Sequence, residues 1–357
     1  MRTILTRSKL FIPALAIAAA TLGVAACGGG EAGGDGGGAE VTVVATTTHV
    51  ADLARNVVDD RGEVVGMLVA NADPHDYEPR PSDAEALAGA DLVLESGGDL
   101  DLWIDGVVDA SGSDAPVVTM LDAVETIEGG HEHAEEDGGD HADAADEHAE
   151  EDEHAEGDEH GEEDEHAAEG EHADAEIDPH WWQSPANAIL AVEAIRDALI
   201  EVDPEGRAEY EANADAYGNE LENLDATIAE CMQAIPDDAR KLVTSHDALG
   251  YLADRYEIEV VGAAIPALTT QAQPSAGETA ELVELIRDEG VVAVFPEAGV
   301  ASDLEQAIAD DAGATIGGEL WADALGPAGS GAETYLDAIA ANADTIASGF
   351  SGGERGC

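Results

Sequence analysis

From residue 41 onward the chain alternates short β-rich runs with amphipathic helical stretches, and it does so twice. Candidate strands at 41–45, 64–69, 92–95 and 117–119 are separated by candidate helices near 50–58, 82–88 and 102–110. The pattern returns with strands at 241–244, 259–262, 291–295 and 314–316, and helices around 248–256, 276–288 and 302–311. Strand and helix in alternation are satisfied by parallel strands whose crossover helices cover the sheet. The expectation is an α/β protein of two similar lobes, each with a mostly parallel four-stranded sheet flanked by helices.

Between the two runs, residues 204–235 read as one long helix, opened by Asp203-Pro204 and closed by Pro236. At 1.5 Å per residue it would be about 48 Å long. Tyr210, Ala214, Tyr217, Leu221, Leu224 and Ile228 recur at three and four, which gives the helix one buried face. A single rigid helix joining the lobes predicts motions of a few degrees rather than a wide hinge.

The N-terminus carries Arg2, Arg7 and Lys9, then an apolar run over 10–26 interrupted by Pro13, which reads as an export signal. The run is shorter than the ~20 residues a membrane span requires. Val24-Ala25-Ala26-Cys27 resembles the lipobox of bacterial lipoproteins, in which the cysteine is acylated, and the Gly-rich stretch that follows reads as a flexible tether. The remaining cysteines, Cys231 and Cys357, form an even pair in an oxidising compartment and read most simply as a disulfide; the alternative is two unpaired thiols.

The expected organisation is a signal peptide over 1–26, a lipidated Cys27 with its tether to residue 40, and an N-terminal α/β lobe over 41–203. A linker helix over 204–235 and a C-terminal α/β lobe over 236–357 complete it.

The first lobe is interrupted at 131–176 by a segment with 23 acidic residues, eight histidines, no Lys or Arg and no apolar side chain larger than Ala. It has nothing to bury that would offset its ordering entropy and is expected to be disordered. Histidine-rich tracts suggest metal contact, so His131, His133, His141, His148, His154, His160, His166 and His172 are candidate weak, auxiliary metal ligands.

Four histidines lie elsewhere. His75 and His180 occupy the same tripeptide, Asp73-Pro74-His75 and Asp178-Pro179-His180, a proline-stiffened corner whose Asp could accept from the non-ligating ring nitrogen. His246 follows a strand, where ligands of open α/β sheets collect, and Asp323 offers an oxygen donor. His49 sits at a helix start and reads as structural.

Several segments match a known family. Asp73-Pro74-His75-Asp76-Tyr77-Glu78-Pro79-Arg80-Pro81-Ser82-Asp83 resembles the zinc- and manganese-binding lipoproteins of bacterial metal ABC importers, the cluster A solute-binding proteins. Asp178-Pro179-His180-Trp181-Trp182 is similar to the family's second motif, with a departure at Gln183-Ser184-Pro185. Thr244 to Tyr251 and the Asp323 segment look like the third and fourth motifs.

The resemblance implies two lobes joined by a long helix, metal ligands at His75, His180, His246 and Asp323, and partners in an integral-membrane permease and a cytoplasmic ATPase. It further implies a monomer on the outer face of the cytoplasmic membrane, held by its lipid anchor.

Three imidazoles and one carboxylate suit Zn²⁺ as the transported ion, with Mn²⁺ as the alternative, since harder oxygen-rich sites favour manganese. A zinc hydrolase would need an open coordination position and a general base, and no HExxH-type sequence is present, so no enzyme is expected. A surface zinc buffer or adhesin built on the acidic tract is the other competing reading.

The formal net charge of -67 excludes nucleic acid as a partner. Outside the signal and the insert the chain still has 57 acidic and 10 basic residues, which reads as a saline-adapted surface rather than a metal-capturing one.

Overall fold

The computed structural model describes residues 40–129 and 177–357, so the signal, the lipidated Cys27, the tether and the histidines of the insert lie outside the described residues. The first run of elements is β1 (Val41–Ala45), α1 (Thr48–Val58), β2 (Gly62–Gly66), α2 (Pro81–Leu87), β3 (Leu92–Glu95), α3 (Ile104–Ser111) and β4 (Val117–Thr119). These strands form a parallel sheet in the order β2-β1-β3-β4, with Val43 opposite both Val64 and Leu92.

Two helices follow, α4 (Pro185–Val202) and α5 (Arg207–Gln233). The second run is β5 (Lys241–His246), α6 (Gly250–Tyr256), β6 (Glu259–Ile265), α7 (Ala276–Glu289), β7 (Ala293–Val294), α8 (Asp303–Ala312) and β8 (Thr315–Ile316), closed by α9 (Tyr335–Phe350). Here the ladders are two parallel pairs, β5 with β6 and β7 with β8. A parallel bridge between Thr244 and Phe295 joins them, and Phe295 N–H donates to Val243 C=O over 2.9 Å. The resulting order, β6-β5-β7-β8, repeats that of the first sheet.

Strand periodicity divides the apolar residues between two faces. Val43, Ala45, Leu92, Leu94 and Leu242 point into one large core shared with Trp181, Trp182, Ile195, Tyr210, Leu221, Phe295, Tyr335 and Ile346. Val44 and Val93 face the opposite way with Met67, Leu87 and Ile104, while Val243 packs with Val261, Leu282, Ile286, Val294 and Ile308. Both sheets are therefore covered on two sides, as parallel sheets require. Full burial of each large apolar side chain contributes about 1.5–3 kcal/mol.

The long helix is α5, about 40 Å over its 27 residues. Its buried residues are Tyr210, Ala214, Tyr217, Leu221, Ile228 and Met232, on the face that the spacing marks out. Pro204 does not open it: residues Pro204–Gly206 form a separate 3-10 turn. Asp203 is not its cap either, because the carboxylate is taken by the Arg61 guanidinium at 3.0 Å and by the Tyr210 hydroxyl at 2.9 Å. The end of α5 lies against the last residue of the chain, with the sulfurs of Cys231 and Cys357 2.06 Å apart in a disulfide.

Candidate metal centre

Each candidate ligand is held by the local structure around it. Beyond β2 the backbone turns at Asn71, which has φ 60° and donates its N–H to Leu325 C=O at 2.8 Å. Asp73 then caps the short turn Pro74–Asp76, its Oδ1 accepting the His75 N–H at 2.8 Å. The Asp73 carboxylate does not touch the His75 ring; its other oxygen accepts from the Thr270 hydroxyl at 2.6 Å.

At the second corner the carboxylate does reach the ring. Asp178 Oδ1 accepts from His180 N–H at 2.9 Å and lies 2.7 Å from His180 Nδ1, which leaves Nε2 as the free donor atom. The two tryptophans that follow anchor the corner. Trp181 donates to Ser96 C=O at 3.2 Å, and Trp182 donates to Ala322 C=O at 2.9 Å. Gln183 reaches the same Ala322 carbonyl at 2.7 Å, so the residue preceding Asp323 is fixed by the segment following His180.

His246 is the last residue of β5, and its backbone carbonyl accepts from Thr244 Oγ1 at 2.8 Å. Its Nδ1 lies 3.1 Å from Oε2 of Glu297, a buried carboxylate just beyond β7. The Glu297 backbone N–H donates to Ser245 Oγ at 2.9 Å, and Ser245 donates to the buried Glu305 at 2.6 Å. Glu297 is absent from the sequence expectations. A single Glu in Phe295-Pro296-Glu297 carries no local signal, and only the pairing of β5 with the β7 region brings it to His246.

The four candidates converge. Asp323 Oδ2 lies 3.3 Å from His75 Nε2 and 3.2 Å from His246 Nε2, and its Oδ1 lies 3.5 Å from His180 Nε2. One donor atom from each of the four falls within 4.8 Å of every other. All five of these atoms are buried, and none has a hydrogen-bond partner. The three Asp323–imidazole separations exceed those of charge-assisted hydrogen bonds and lie near the edge of a tetrahedron with about 2.0–2.2 Å bonds to a central ion, roughly 3.3–3.6 Å.

Electrostatics agree with a cation-binding role. Burial works against the charged form of His246, but Asp323 and Glu297 outweigh it and hold its pKa well above the usual imidazole range. Burial likewise opposes the Asp323 carboxylate, yet His246, His75 and His180 bring it well below the ordinary carboxylate value. Glu297 is pushed up to about 7, chiefly by burial and by Asp323, against the pull of His246.

His49 lies apart from this group. It is fully buried in the first turn of α1, stacks on Trp182 with ring centroids 4.8 Å apart, and meets Tyr335 edge-on. Burial lowers its pKa to about 3 despite the nearby Asp323, so the ring is neutral and belongs to the packing.

Residues 43–349 match the zinc-uptake complex component A periplasmic family. The chain belongs to that family. It is 29% identical to the manganese-binding lipoprotein MntA of Halalkalibacterium halodurans over 92% of this chain and 94% of that one. Identity to the iron-binding protein YfeA of Yersinia pestis is 28%, covering 86% of each chain. The zinc-binding protein TroA of Treponema pallidum is 27% identical over 85% of this chain and 87% of its own length.

The solved structure of TroA superimposes with a TM-score of 0.69 at 25% identity, covering 87% of this chain and 99% of that one. The chain is thus a metal-binding, substrate-binding component of the ABC-importer type, and family members of this kind are solute-binding proteins rather than enzymes. Among the described residues no helix is long and apolar enough to cross a membrane.

Proposed function

We propose that this protein captures Zn²⁺ through His75, His180, His246 and Asp323 and hands it to the permease of an ABC importer, acting as a lipid-anchored monomer outside the cytoplasmic membrane. The observation that carries the reading is the donor set: three imidazole nitrogens and one carboxylate, buried and converging within 4.8 Å of one another, with each imidazole 3.2–3.5 Å from Asp323. Zinc is bound readily by such mixed nitrogen and oxygen sites, and four protein ligands leave no open position for hydrolytic chemistry. The two rings whose second nitrogen faces a carboxylate, His180 and His246, are stronger donors for it.

Manganese is the second reading, supported by the similarity to the manganese-binding lipoprotein of Halalkalibacterium halodurans. Titration calorimetry on the mature chain with Zn²⁺ and with Mn²⁺ tests both. A single tight zinc event, abolished in His180→Ala and weaker by orders of magnitude with manganese, supports zinc capture. Equal or tighter manganese binding transfers the assignment to Mn²⁺, and many weak sites with no tight one would return the surface-buffer reading. The insert histidines serve in this proposal as weak auxiliary contacts that raise the local ion concentration. Unchanged uptake at limiting zinc after deletion of residues 131–176 would remove that role.

A further inference from the structure

The segment between β6 and α7, residues 266–275, crosses to the His75 side of the site and is tied down along its length. At its root, Ala267 C=O accepts the N–H of Asp247, the residue that follows His246, at 3.0 Å. In its middle, the buried Leu268 packs on Gly129 so closely that a methyl group there would stand 2.4 Å from Leu268 Cδ1. At its tip, Thr270 donates its hydroxyl to Asp73 Oδ2 at 2.6 Å, and the Gln271 side-chain amide donates to the His75 carbonyl. The strap thus runs from the neighbour of one candidate ligand to the cap and the backbone of another.

Within the first half the corner it holds is braced by Arg80 donating to Met67 C=O at 3.0 Å and by the Tyr77 hydroxyl donating to Asp83 at 2.6 Å. Among the described residues its hydrogen-bonded ties to the second half are the strap and Asn71. β2 has already ended at Gly66, Pro74 has no N–H to give, and Asn71 makes the nearest backbone bond to the second half. His75 is also the least enclosed of the three imidazoles: its side chain is 6% exposed, against 0% for His180 and 1% for His246. Movement of this corner would open the donor set to water with the smallest rearrangement, whereas His180 and His246 are each backed by a buried carboxylate.

We infer that Thr270 and Gln271 are positioning residues that hold His75 in place over the captured ion and set its residence time, release running through the His75 corner when the strap tip lets go. The inference rests on the metal-capture reading above. Neither side chain is a ligand, so their contribution falls on the rate of escape rather than on the chemistry of the donors.

The test uses the full mature chain and Zn²⁺ alone. Release is followed by stopped-flow mixing of the loaded protein with excess EDTA, and association by mixing with free Zn²⁺, for wild type, T270V, Q271A, T270V/Q271A and T270S. Loss of two hydrogen bonds of ordinary strength predicts release faster by about tenfold in the double variant. Association should stay within twofold, and T270S, which keeps the hydroxyl, should behave as wild type. Gln271 is exposed, so Q271A alone, expected at about threefold, keeps the test open if T270V lowers the folded fraction. Release at the wild-type rate in the double variant overturns the assignment, as does an equal acceleration in T270S. If wild type holds no single Zn²⁺ tightly, the capture reading itself fails and takes the strap with it. Tight binding with unchanged release in the double variant removes the strap alone.

Discussion

Asp73-Pro74-His75 and Asp178-Pro179-His180 are one tripeptide in two settings, and their aspartates do different work. Asp178 turns onto its own histidine's Nδ1, in a pocket where Trp181, Trp182 and His180 are all fully buried. Asp73 turns away from its ring, caps the backbone of the corner and takes a hydroxyl from the other half of the chain. A short motif of this kind specifies a stiff corner with an imidazole at its end. The elements packed around it decide whether the acid tunes the donor or moors the corner.

Alanine substitution separates the two settings most strongly. His180→Ala should weaken zinc binding about 100- to 1,000-fold in a competition titration, since about 10–16 kcal/mol shared among four ligands is about 2.5–4 kcal/mol each. His75→Ala should lose less, because a water can enter at the more exposed rim, and equal losses would erase the distinction.

Replacing the acids is the next largest contrast. Asp178→Asn and Glu297→Gln each remove a carboxylate that faces a ligand ring and should weaken zinc affinity about 10–100-fold. Asp73→Asn should change equilibrium affinity only a few-fold while speeding release. Glu297→Gln should also reduce the protons released on binding, compared in buffers of different ionisation enthalpy. In the metal-free protein Asp323 and Glu297 keep His246 protonated above the usual imidazole range, and the ion must displace that proton. Affinity should therefore begin to fall above pH 6.5 as the solution is acidified, higher than unperturbed imidazoles would give.

The smallest effect sharpens the contrast between ligand and packed histidine. His49 is neutral in the fold, with its pKa lowered to about 3, so the unfolded chain takes up a proton that the folded chain refuses. The stability it contributes is complete above about pH 6.5 and is lost on acidification toward pH 3, at up to about 1.4 kcal/mol per pH unit. His49→Leu should flatten that part of a urea-unfolding pH profile relative to wild type, and an unchanged slope would show that the ring is protonated in the fold.

Much of this architecture was legible because the strands carry their own signal. β1, β3 and β4 have the limits that continuous β-branched and leucine runs mark out, and β1 and β3, buried on both faces, need apolar residues almost throughout. The candidate strand at 64–69 lies instead at Gly62–Gly66, because pairing with β1 sets its register and the chain then turns toward Asn71.

Helices α4 and α9 have no counterpart in the sequence expectations. Their buried positions are rich in alanine, including Ala188, Ala191 and Ala198 in one and Ala338, Ala343 and Ala347 in the other, so no stripe of large residues stands out. At the site, the imidazoles and Asp323 stand in recognisable segments. Glu297 and Thr270 do not, because their importance comes from contacts across about 50 and 200 positions of sequence.

The neck of the insert has a practical consequence. Glu128 and Ile177 form an antiparallel bridge, and the Tyr251 hydroxyl accepts from Ile127 N–H at 3.3 Å while donating to Asp178 C=O at 2.8 Å. The two ends of the interruption are thus pinned side by side by groups that do not belong to it. Loop-closure entropy changes only slowly with length, so altering the length of the intervening sequence should cost the fold little. Shortening it, recoding it or replacing it with a reporter should therefore leave the corner that carries His180 moored.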